Sequence, residues 1–310
     1  MPKARSFAGS SRRTASPSLT LVALVVGNVA LAFGPLFVRM ADVGPVAAAF
    51  WRLALAAPVL VVAAVASGWR PGHSRRGVLW AVAIGGLCFA VDLASWHVGI
   101  RKTSMTNATL FGNSASLIFP LYGFVVARAW PSRTQGLALV LALVGAMLLM
   151  GRSLHIAPEH FAGDLLCVLA GIFYTLYFAV MARARDTMPP VPALAASTLA
   201  SLGPLLLIAL AMGEQVVPQQ WGPLIALALV SQVVGQSLMI FALGQASPLI
   251  VGIMLLIQPI VGSIIGAIGY GERLDTIDWL GAGLVGLALV LVRRTRSDTA
   301  ELAPEGVEKA

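Results

Sequence analysis

The sequence predicts an all-α integral membrane protein in which ten transmembrane helices form two inverted five-helix repeats. Three observations lead to this fold class. The 310 residues are 58% hydrophobic and only 11% charged. The apolar residues are gathered into ten runs, each of about the 20 residues that a helix needs to cross a bilayer. The same polar features then recur in the same order in the two halves of the chain.

The composition excludes a soluble protein. A soluble domain carries about 25% charged and about 45–50% apolar residues, whereas this chain has less than half that charge and a mean hydropathy of +0.87. The formal net charge of +8 would suit a nucleic-acid partner, but the basic residues lie in short patches between apolar runs, as in membrane proteins. We therefore expect a lipid bilayer around the chain and no nucleic-acid partner.

The ten apolar runs are separated by short turns rich in Gly, Pro or Arg. Their approximate bounds are 19–39, 45–67, 77–99, 104–126, 134–151, 162–182, 190–212, 220–242, 247–269 and 276–292. The expected organisation is an N-terminal tail over 1–18, a first repeat over 19–151, a second repeat over 162–293 and a C-terminal tail over 294–310. The first tail is basic and free of acids, which also suits a transit peptide, but a short cytoplasmic tail is the expectation.

The basic residues predict the orientation. Of the 21 Lys and Arg residues, 15 lie in segments on the side of the two termini, five lie on the other side, and Arg52 lies within a span. Cytoplasmic segments carry the excess of Lys and Arg. We therefore expect a multi-pass protein of the cell membrane (the inner membrane of a bacterium) with both termini in the cytoplasm.

The internal repeat is visible in two neighbouring spans of each half. In the first half, one span ends in Trp96–Ser104 and the next contains Asn113 and Pro120. In the second half, the equivalent span ends in Ile240–Ser247 and the next contains Gln258–Pro259. Because each half has an odd number of spans, the two halves have opposite orientations in the membrane, as in many secondary transporters.

At these residues the chain resembles the drug/metabolite transporter superfamily, specifically the ten-helix type with two EamA repeats, over about residues 19–293. The resemblance depends on the order and spacing of several short motifs. They are Phe50–Leu53, Thr103–Asn113, Gln258–Pro259, Gly271–Leu274 and Trp279–Gly281. The first half departs from the pattern, because it reads Ala127–Pro131 where a Gly-Glu-Arg would stand. The resemblance implies a carrier that works by alternating access, often as an exporter of amino acids, metabolites or drugs.

Two charged residues lie clearly inside the spans. Burying a charged side chain at the centre of a bilayer costs about 2.5–3.5 kcal/mol on insertion scales, so such residues are candidates for function. Arg52 and Asp92 each lie about seven residues from the outer end of their spans, at about the same depth. They either form part of the cavity wall, where they bind a zwitterionic substrate or exchange a coupling proton, or form a structural ion pair between the second and third spans.

Further polar residues of the first half lie near this layer. Asn113 lies at a similar depth, and Trp96 shares a helix face with Asp92. Trp96 is either an aromatic wall of the pocket or an interface anchor. His97 is expected to be a solvated histidine at the boundary, and Asn107 to cap the start of the fourth span.

The second half supplies tyrosines and amides near the midplane. Tyr174 and Tyr177 lie in the sixth span, and Gln232 and Gln236 form an i,i+4 pair in the eighth. Gln258 lies in the ninth. Each amide either joins two helices or lines a pocket, and their concentration in adjacent spans favours a pocket. The substrate-binding candidates are therefore Arg52, Asp92, Trp96, Asn113, Tyr174, Gln232, Gln236 and Gln258.

Prolines and small residues suggest how the helices bend and pack. Pro120 and Pro259 each remove a backbone donor, so matched bends there would suit hinges of a rocking carrier. Gly262 and Gly266 form a GxxxG, and Ala282 and Gly286 form a small-xxx-small pair. Such pairs indicate a helix contact, either within the chain or in a homodimer.

Secondary transport of a small molecule is the leading functional hypothesis. An ATP-driven pump lacks support because no GxxxxGK[ST] is present, and a membrane-embedded enzyme would need paired acids or an HExxH. His155, Glu159 and His160 miss the HxxEH spacing by one residue. Cys88 and Cys167 lack a CxxC, so no metal, disulfide or cofactor is expected. A passive channel remains the third class; the mixture of one Arg, one Asp, amides and aromatics suits a small amphipathic or zwitterionic solute.

Overall fold

The protein is helical throughout the part of the chain that the structure describes. The computed structural model describes residues 16–70, 76–103, 111–151, 158–270 and 276–301, and no strand occurs among them. The first half contains α1 (Pro17–Ala32), α2 (Gly34–Met40), α3 (Pro45–Ala66), α4 (Arg76–Lys102), α5 (Ala115–Ala127) and α6 (Arg133–Gly151). The second half contains α7 (Phe161–Ala184), α8 (Pro190–Ala211), α9 (Gly222–Ala226), a π-helical segment (Leu227–Gln236), α10 (Ser237–Leu243), α11 (Pro248–Leu255), α12 (Ile257–Tyr270) and α13 (Thr276–Glu301).

Within the described residues, seven helical stretches are long and apolar enough to cross a membrane. They are Pro17–Met40, Pro45–Ala66, Arg76–Lys102, Pro158–Ala184, Pro190–Ala211, Gly222–Leu243 and Pro248–Ile265. Shorter apolar helices occupy Ala115–Ala127, Arg133–Leu148 and Trp279–Leu291, within the other three predicted spans. The all-α, multi-span character predicted by the sequence is therefore confirmed.

The distribution of polarity is the reverse of that in a soluble protein. Large apolar side chains face outward on many helices, for example Val62, Val125 and Leu207. Charged and amide side chains are instead buried between the helices, among them Arg52 and Gln232. An apolar exterior is stable only in contact with hydrocarbon, so the bundle is built for a bilayer.

The helices of the two halves pack against each other in equivalent pairs. The α4 helix packs on α7, and the π segment with α10 packs on α1. The α4 helix also contacts α8, as the π segment contacts α3. Three further pairs join equivalent spans directly, namely α3 with α8, α5 with α11 and α6 with α13. Each of these contacts between a helix of the first half and a helix of the second half therefore has an equivalent contact in which the roles of the two halves are exchanged.

Small residues allow the closest of these approaches. A Cβ on Gly86 of α4 would lie 2.5 Å from the carbonyl oxygen of Ser197 in α8, and one on Gly145 of α6 would lie 2.7 Å from that of Gly281 in α13. In contrast, a Cβ on Gly262 or Gly286 would meet nothing within 4 Å. Close packing within the chain therefore does not involve these two glycines. Gly266, the partner of Gly262 in the GxxxG, lies outside the positions whose surroundings are described.

The eighth span is not a continuous α-helix. The sequence predicts one helix over 220–242, whereas the middle of this span is the π-helical segment Leu227–Gln236. Apolar length predicts a crossing helix but does not distinguish the i→i+4 from the i→i+5 bonding pattern, which explains the difference. Helices of the π type are rare and occur frequently at functional sites, and this one contains both Gln232 and Gln236.

Candidate functional site

A cluster of buried polar and aromatic side chains occupies the interior of the bundle. Arg52 comes from α3, Asp92 from α4, Tyr174 from α7, and Gln232 and Gln236 from the π segment. Helices of both halves therefore contribute to it. Each side chain is carried by an otherwise apolar helix, so the regular backbone bonding is complete and the polar groups are left to interact with one another.

Arg52 is the basic centre of this cluster and is 7% exposed. Its Nε donates a hydrogen bond of 3.0 Å to Oε1 of Gln232. The amide of Gln232 in turn donates from Nε2 to Oγ1 of Thr198 in α8, at 3.2 Å. The Cζ atom of Arg52 lies 5.8 Å from the ring centroid of Phe89, a cation–π distance. A polar chain thus runs from α3 through the π segment to α8.

Asp92 is 9% exposed and lies within electrostatic range of Arg52. No ion pair within 4.0 Å joins the two, and within the described structure the carboxylate accepts no hydrogen bond. Of the two alternatives for Arg52 and Asp92, a direct ion pair between the second and third spans is thus not found among the described residues. The two residues do lie close together, but the guanidinium turns towards Gln232 of the other half. A buried carboxylate without a hydrogen-bond donor is free to receive one from a ligand.

Aromatic rings form one side of the cluster. Phe89 of α4 stacks on Tyr177 of α7 with centroids 4.6 Å apart, and Tyr174 lies 4.2 Å from Phe178. The hydroxyl of Tyr174 donates to Oε1 of Gln236 at 3.4 Å. The Nε2 of Gln236 is buried and has no partner among the described residues. The site therefore combines an apolar aromatic surface with unused hydrogen-bonding groups.

Trp96 packs on the turn that precedes α5, which also contains Asn113. A Cβ on Gly112 would lie 2.6 Å from Nε1 of Trp96, so the indole packs directly on the residue before Asn113. Both side chains are partly buried. The structure thus places Trp96, one helical turn beyond Asp92, against the turn that contains Asn113. Asn107 lies outside the described residues.

The expected solvated position of His97 is wrong. This imidazole is 1% exposed, and its Nδ1 donates to the carbonyl oxygen of Leu93 at 2.6 Å. Its Nε2 is buried and has no hydrogen-bond partner in the described part of the chain. The reason is that α4 continues to Lys102 and packs along α7, which places His97 inside the bundle rather than at the boundary.

Gln258 belongs to a second polar contact, between α12 and α1. Its Nε2 donates to Oδ1 of Asn28 at 2.9 Å, and Nδ2 of Asn28 donates to the carbonyl oxygen of Leu24 at 2.8 Å. Asn28 is completely buried and was not selected from the sequence. An amide in the first apolar run was the signal that would have found it, because amides in spans pair across helices.

Comparisons with known proteins establish the family. The model of the EamA-like transporter family matches residues 18–151 and again residues 161–294. The chain belongs to this family. The "Uncharacterized transporter YwfM" of Bacillus subtilis (strain 168) is 26% identical over 267 residues, which cover 84% of this chain and 88% of that protein. The EamA resemblance inferred from the motifs is thereby confirmed, and the protein is a multi-pass membrane transporter.

A solved structure shows the same fold as this EamA-family chain. Described only as the crystal structure of a protein, it matches with a TM-score of 0.74 and 15% sequence identity. The match covers 91% of this chain and 99% of the other. At this level of identity, the likeness is evidence for the helical architecture alone.

The two predicted hinge prolines of this EamA-family transporter lie in different settings. Pro259 lies just after the point where α11 ends and α12 begins, since its ring excludes a helical bond to the residue four positions earlier. Pro120 lies within the continuous helix α5, and a Cβ on Gly252 of α11 would collide with its ring. The hinge role of both residues stays a prediction.

The described residues contain no group of three or more His, Cys, Asp or Glu side chains suited to a metal ion. Glu159 and His160 lie in a short 3₁₀ turn, Pro158–His160, while His155 lies outside the described residues. Cys88 is partly buried and Cys167 buried, both as free thiols.

Arg185 joins two elements at the far end of this EamA-family bundle. Its Nε donates to the carbonyl oxygen of Ile240 at 3.1 Å, and its Nη1 to that of Met188 at 2.5 Å. Burial lowers the pKa of Arg185 from its usual value, and Asp186 opposes that shift. Arg185 therefore ties α7 to α10 at the end of the bundle away from the 41–44 connection.

Proposed function

We propose that the protein is a secondary-active transporter that exports small metabolites, amino acids or drug-like amphipathic solutes by alternating access. The observation that carries this proposal is the buried polar cluster at the interface of the two halves. It contains the carboxylate of Asp92 and the amide nitrogen of Gln236, which have no hydrogen-bond partner among the described residues. Polar groups inside a membrane bundle are characteristic of a substrate pathway.

The equivalent pairing of helices supports an inverted repeat. The α4–α7 contact and the contact of α1 with the π segment are exchanged when the halves are exchanged. Such a relation allows one bundle to adopt two states, open to opposite sides, by exchanging the conformations of its halves. Ten crossings are proposed because the three shorter apolar helices lie in predicted spans and pack as the pairs α5–α11 and α6–α13.

The proposed site has three chemical parts. Arg52 would bind an anionic group of the solute, and Asp92 would bind a cationic group or exchange a coupling proton. Tyr174 and the rings stacked around it would contact an apolar part. Gln232 and Gln236 would adjust their hydrogen bonds between the loaded and empty states.

Three predicted binding residues would act around this centre. Trp96 and Asn113 would line the pathway one turn beyond Asp92. Gln258 is proposed to act through the α1–α12 contact, because its amide is paired with Asn28. The excess of basic residues on one side supports the proposed orientation, with both termini in the cytoplasm and the protein in the cell membrane.

Two measurements test the proposed function. The first compares metabolites in the medium of overexpressing and deletion strains; a compound that accumulates outside only on overexpression identifies the solute and the direction. The second measures counterflow of that compound in proteoliposomes. Saturable uptake accelerated by solute on the opposite side is expected of a carrier. Unsaturated flux without counterflow would indicate a passive channel instead.

A further inference from the structure

Two connections from opposite halves of the chain are joined at one end of the bundle. They are residues 41–44, between α2 and α3, and residues 212–221, between α8 and α9. The carboxylate of Glu214 accepts hydrogen bonds from the backbone nitrogens of Val46 (3.3 Å) and Ala47 (2.8 Å). It thereby caps the N-terminus of α3, where a negative charge is favoured.

The second connection is held in return by Asp42. Its Oδ2 accepts hydrogen bonds from the backbone nitrogens of Gln219 at 2.8 Å and Gln220 at 3.0 Å. In addition, Nε1 of Trp51 donates to the carbonyl oxygen of Val216 at 2.7 Å, and its ring meets Trp221 edge-on at 4.9 Å. The two segments therefore bind each other through carboxylates on both sides.

Gly44 is placed where a side chain would prevent this contact. A Cβ there would collide with the carboxylate of Glu214, and the backbone nitrogen of Gly44 donates to the carbonyl oxygen of Gln215 at 3.0 Å. Since the φ angle of Gly44 is −61°, the position requires glycine for space rather than for its backbone conformation. A larger residue at 44 should therefore separate the segments without removing a charge.

The joined connections lead directly into the two helical spans that carry Arg52 and Gln232. Arg52 is seven residues from the start of α3, which corresponds to about 10 Å along the helix. Its partner Gln232 lies in the span that begins at Gly222, immediately after the second connection. The helices that carry Arg52 and Gln232 are therefore joined in two places: by the hydrogen bond between these residues, and by the connections at the end of the bundle.

The contacts between the two connections are of a kind that can break and form again. It consists of hydrogen bonds and one aromatic edge in connections that reach solvent, and water replaces such hydrogen bonds at low cost. The α6–α13 contact is different, because Gly145 there packs against backbone with no room for water.

We propose that residues 41–44 and 212–221 form a latch that closes the outer end of the transport pathway, and that its release exposes Arg52 and Asp92 to the outside. This inference rests on the proposed function, since it assigns one gate of the alternating-access cycle. Glu214, Asp42 and Gly44 are positioning residues: they act on access to the site and do not contact the solute.

The first test measures access to the site without any knowledge of the solute. Cys88 and Cys167 are replaced by alanine, Gln236→Cys is introduced as a reporter, and a membrane-impermeant maleimide is added to right-side-out or inside-out vesicles. Glu214→Gln and Gly44→Ala are each expected to raise the outside labelling rate about tenfold, since the closed state loses about one charge-assisted hydrogen bond. The matched controls Asp186→Asn, at the other end, and Gly222→Ala, where a Cβ meets nothing within 4 Å, should leave the rate unchanged.

A second test holds the latch closed. Asp42→Cys and Gln219→Cys are introduced together in the same cysteine-free background, and disulfide formation is followed by counting free thiols by mass spectrometry. Oxidation is expected to abolish transport, and reduction to restore it. Full transport by the oxidised protein would overturn the latch. In the labelling test, the latch would be overturned if Glu214→Gln and Gly44→Ala, with their melting temperatures retained, left the labelling rate from the outside unchanged. It would also be overturned if these variants raised the labelling rate only from the cytoplasmic side. Absence of transport in the cysteine-free protein that keeps Asp42 and Gln219 would instead count against the proposed function, while the labelling result would still decide on the latch.

Discussion

Arg52 and Gln232, 180 residues apart in the sequence, are joined by a hydrogen bond of 3.0 Å from the guanidinium Nε to the amide Oε1. One residue belongs to each half of the chain, and both are buried. Hydrogen bonds in which one partner is charged contribute about 1.5–3 kcal/mol. The contact therefore fixes the position of the only Arg of the cluster, and an anionic group of a solute would compete with the amide for it.

Replacement of Arg52 by lysine is expected to reduce transport at least tenfold. The planar guanidinium of arginine can bind Gln232 through Nε and still offer its other nitrogens to a ligand. Lysine keeps the charge but lacks this geometry. A loss of about 1.4 kcal/mol corresponds to a factor of ten in binding. Initial rates of counterflow at several solute concentrations measure the effect, with Arg39→Lys as the control for a basic residue at a helix end. Unchanged affinity in Arg52→Lys would show that the guanidinium is not a ligand.

Asp92→Asn is expected to abolish transport while leaving membrane insertion and yield normal. Among the described residues the carboxylate makes no ion pair within 4.0 Å, so the substitution breaks no direct contact with Arg52. The amide cannot exchange a proton and binds a cationic group poorly. Fluorescence of a C-terminal fusion in size-exclusion chromatography gives the yield, and counterflow gives the activity. Collapse of the yield would identify Asp92 as a structural residue.

Gly86→Ala is expected to destabilise the bundle by about 1–3 kcal/mol, as inserted methyl groups do in closely packed interiors. A Cβ there would lie 2.5 Å from the carbonyl oxygen of Ser197 and 2.8 Å from the Cβ of Ala200. Gly203→Ala is the matched control, because a Cβ on Gly203 would meet nothing within 4 Å. Thermal melting in detergent should separate the two variants; equal melting temperatures would contradict the close α4–α8 contact.

Pro259→Ala is expected to slow transport more than it weakens solute binding. Alanine would allow α11 and α12 to join into one continuous helix, since the missing backbone donor is restored. If the break at Leu256 is a hinge, the maximal counterflow rate should fall while the concentration for half-maximal rate changes little. A variant with the full maximal rate would show that the break has no part in the cycle.

Arg185→Lys should lower the melting temperature, because an ammonium on a flexible stem cannot hold Ile240 and Met188 with the geometry of the guanidinium. Arg183→Lys, at an exposed position of the same helix, serves as control. Equal melting temperatures for both variants would show that the two carbonyl contacts do not stabilise the bundle.

Several features of the site could be predicted from the sequence because they depend on local properties. Arg52 and Asp92 are predictable as site residues because a charge within an apolar run is costly wherever the helix packs. Their proximity followed from equal depth on consecutive spans. Tyr174, Gln232 and Gln236 are predictable in the same way as polar groups within apolar spans, and the structure places them in the cluster with Arg52.

Other features depended on how the helices rotate against one another. His97 was expected in solvent, but the length and packing of α4 bury it. Gln258 was expected either to line a pocket or to join two helices, and only the structure shows that its amide pairs with Asn28 of α1. The Glu214 cap on α3 could not be predicted from the sequence, because Glu214 and the backbone nitrogen of Ala47 are 167 residues apart.

The sequence by itself determined the membrane class, the apolar segments and the family, because hydrophobic length, charge distribution and motif order are properties of the linear chain. Only the tertiary structure decided which polar groups meet. In a membrane bundle the lipid-facing and the buried sides of a helix are both apolar, so the periodicity that reveals the inner face of a soluble helix is weak. The rotation of each helix, and with it the choice of Gln232 rather than Asp92 as the hydrogen-bond partner of Arg52, follows from close packing across the two halves.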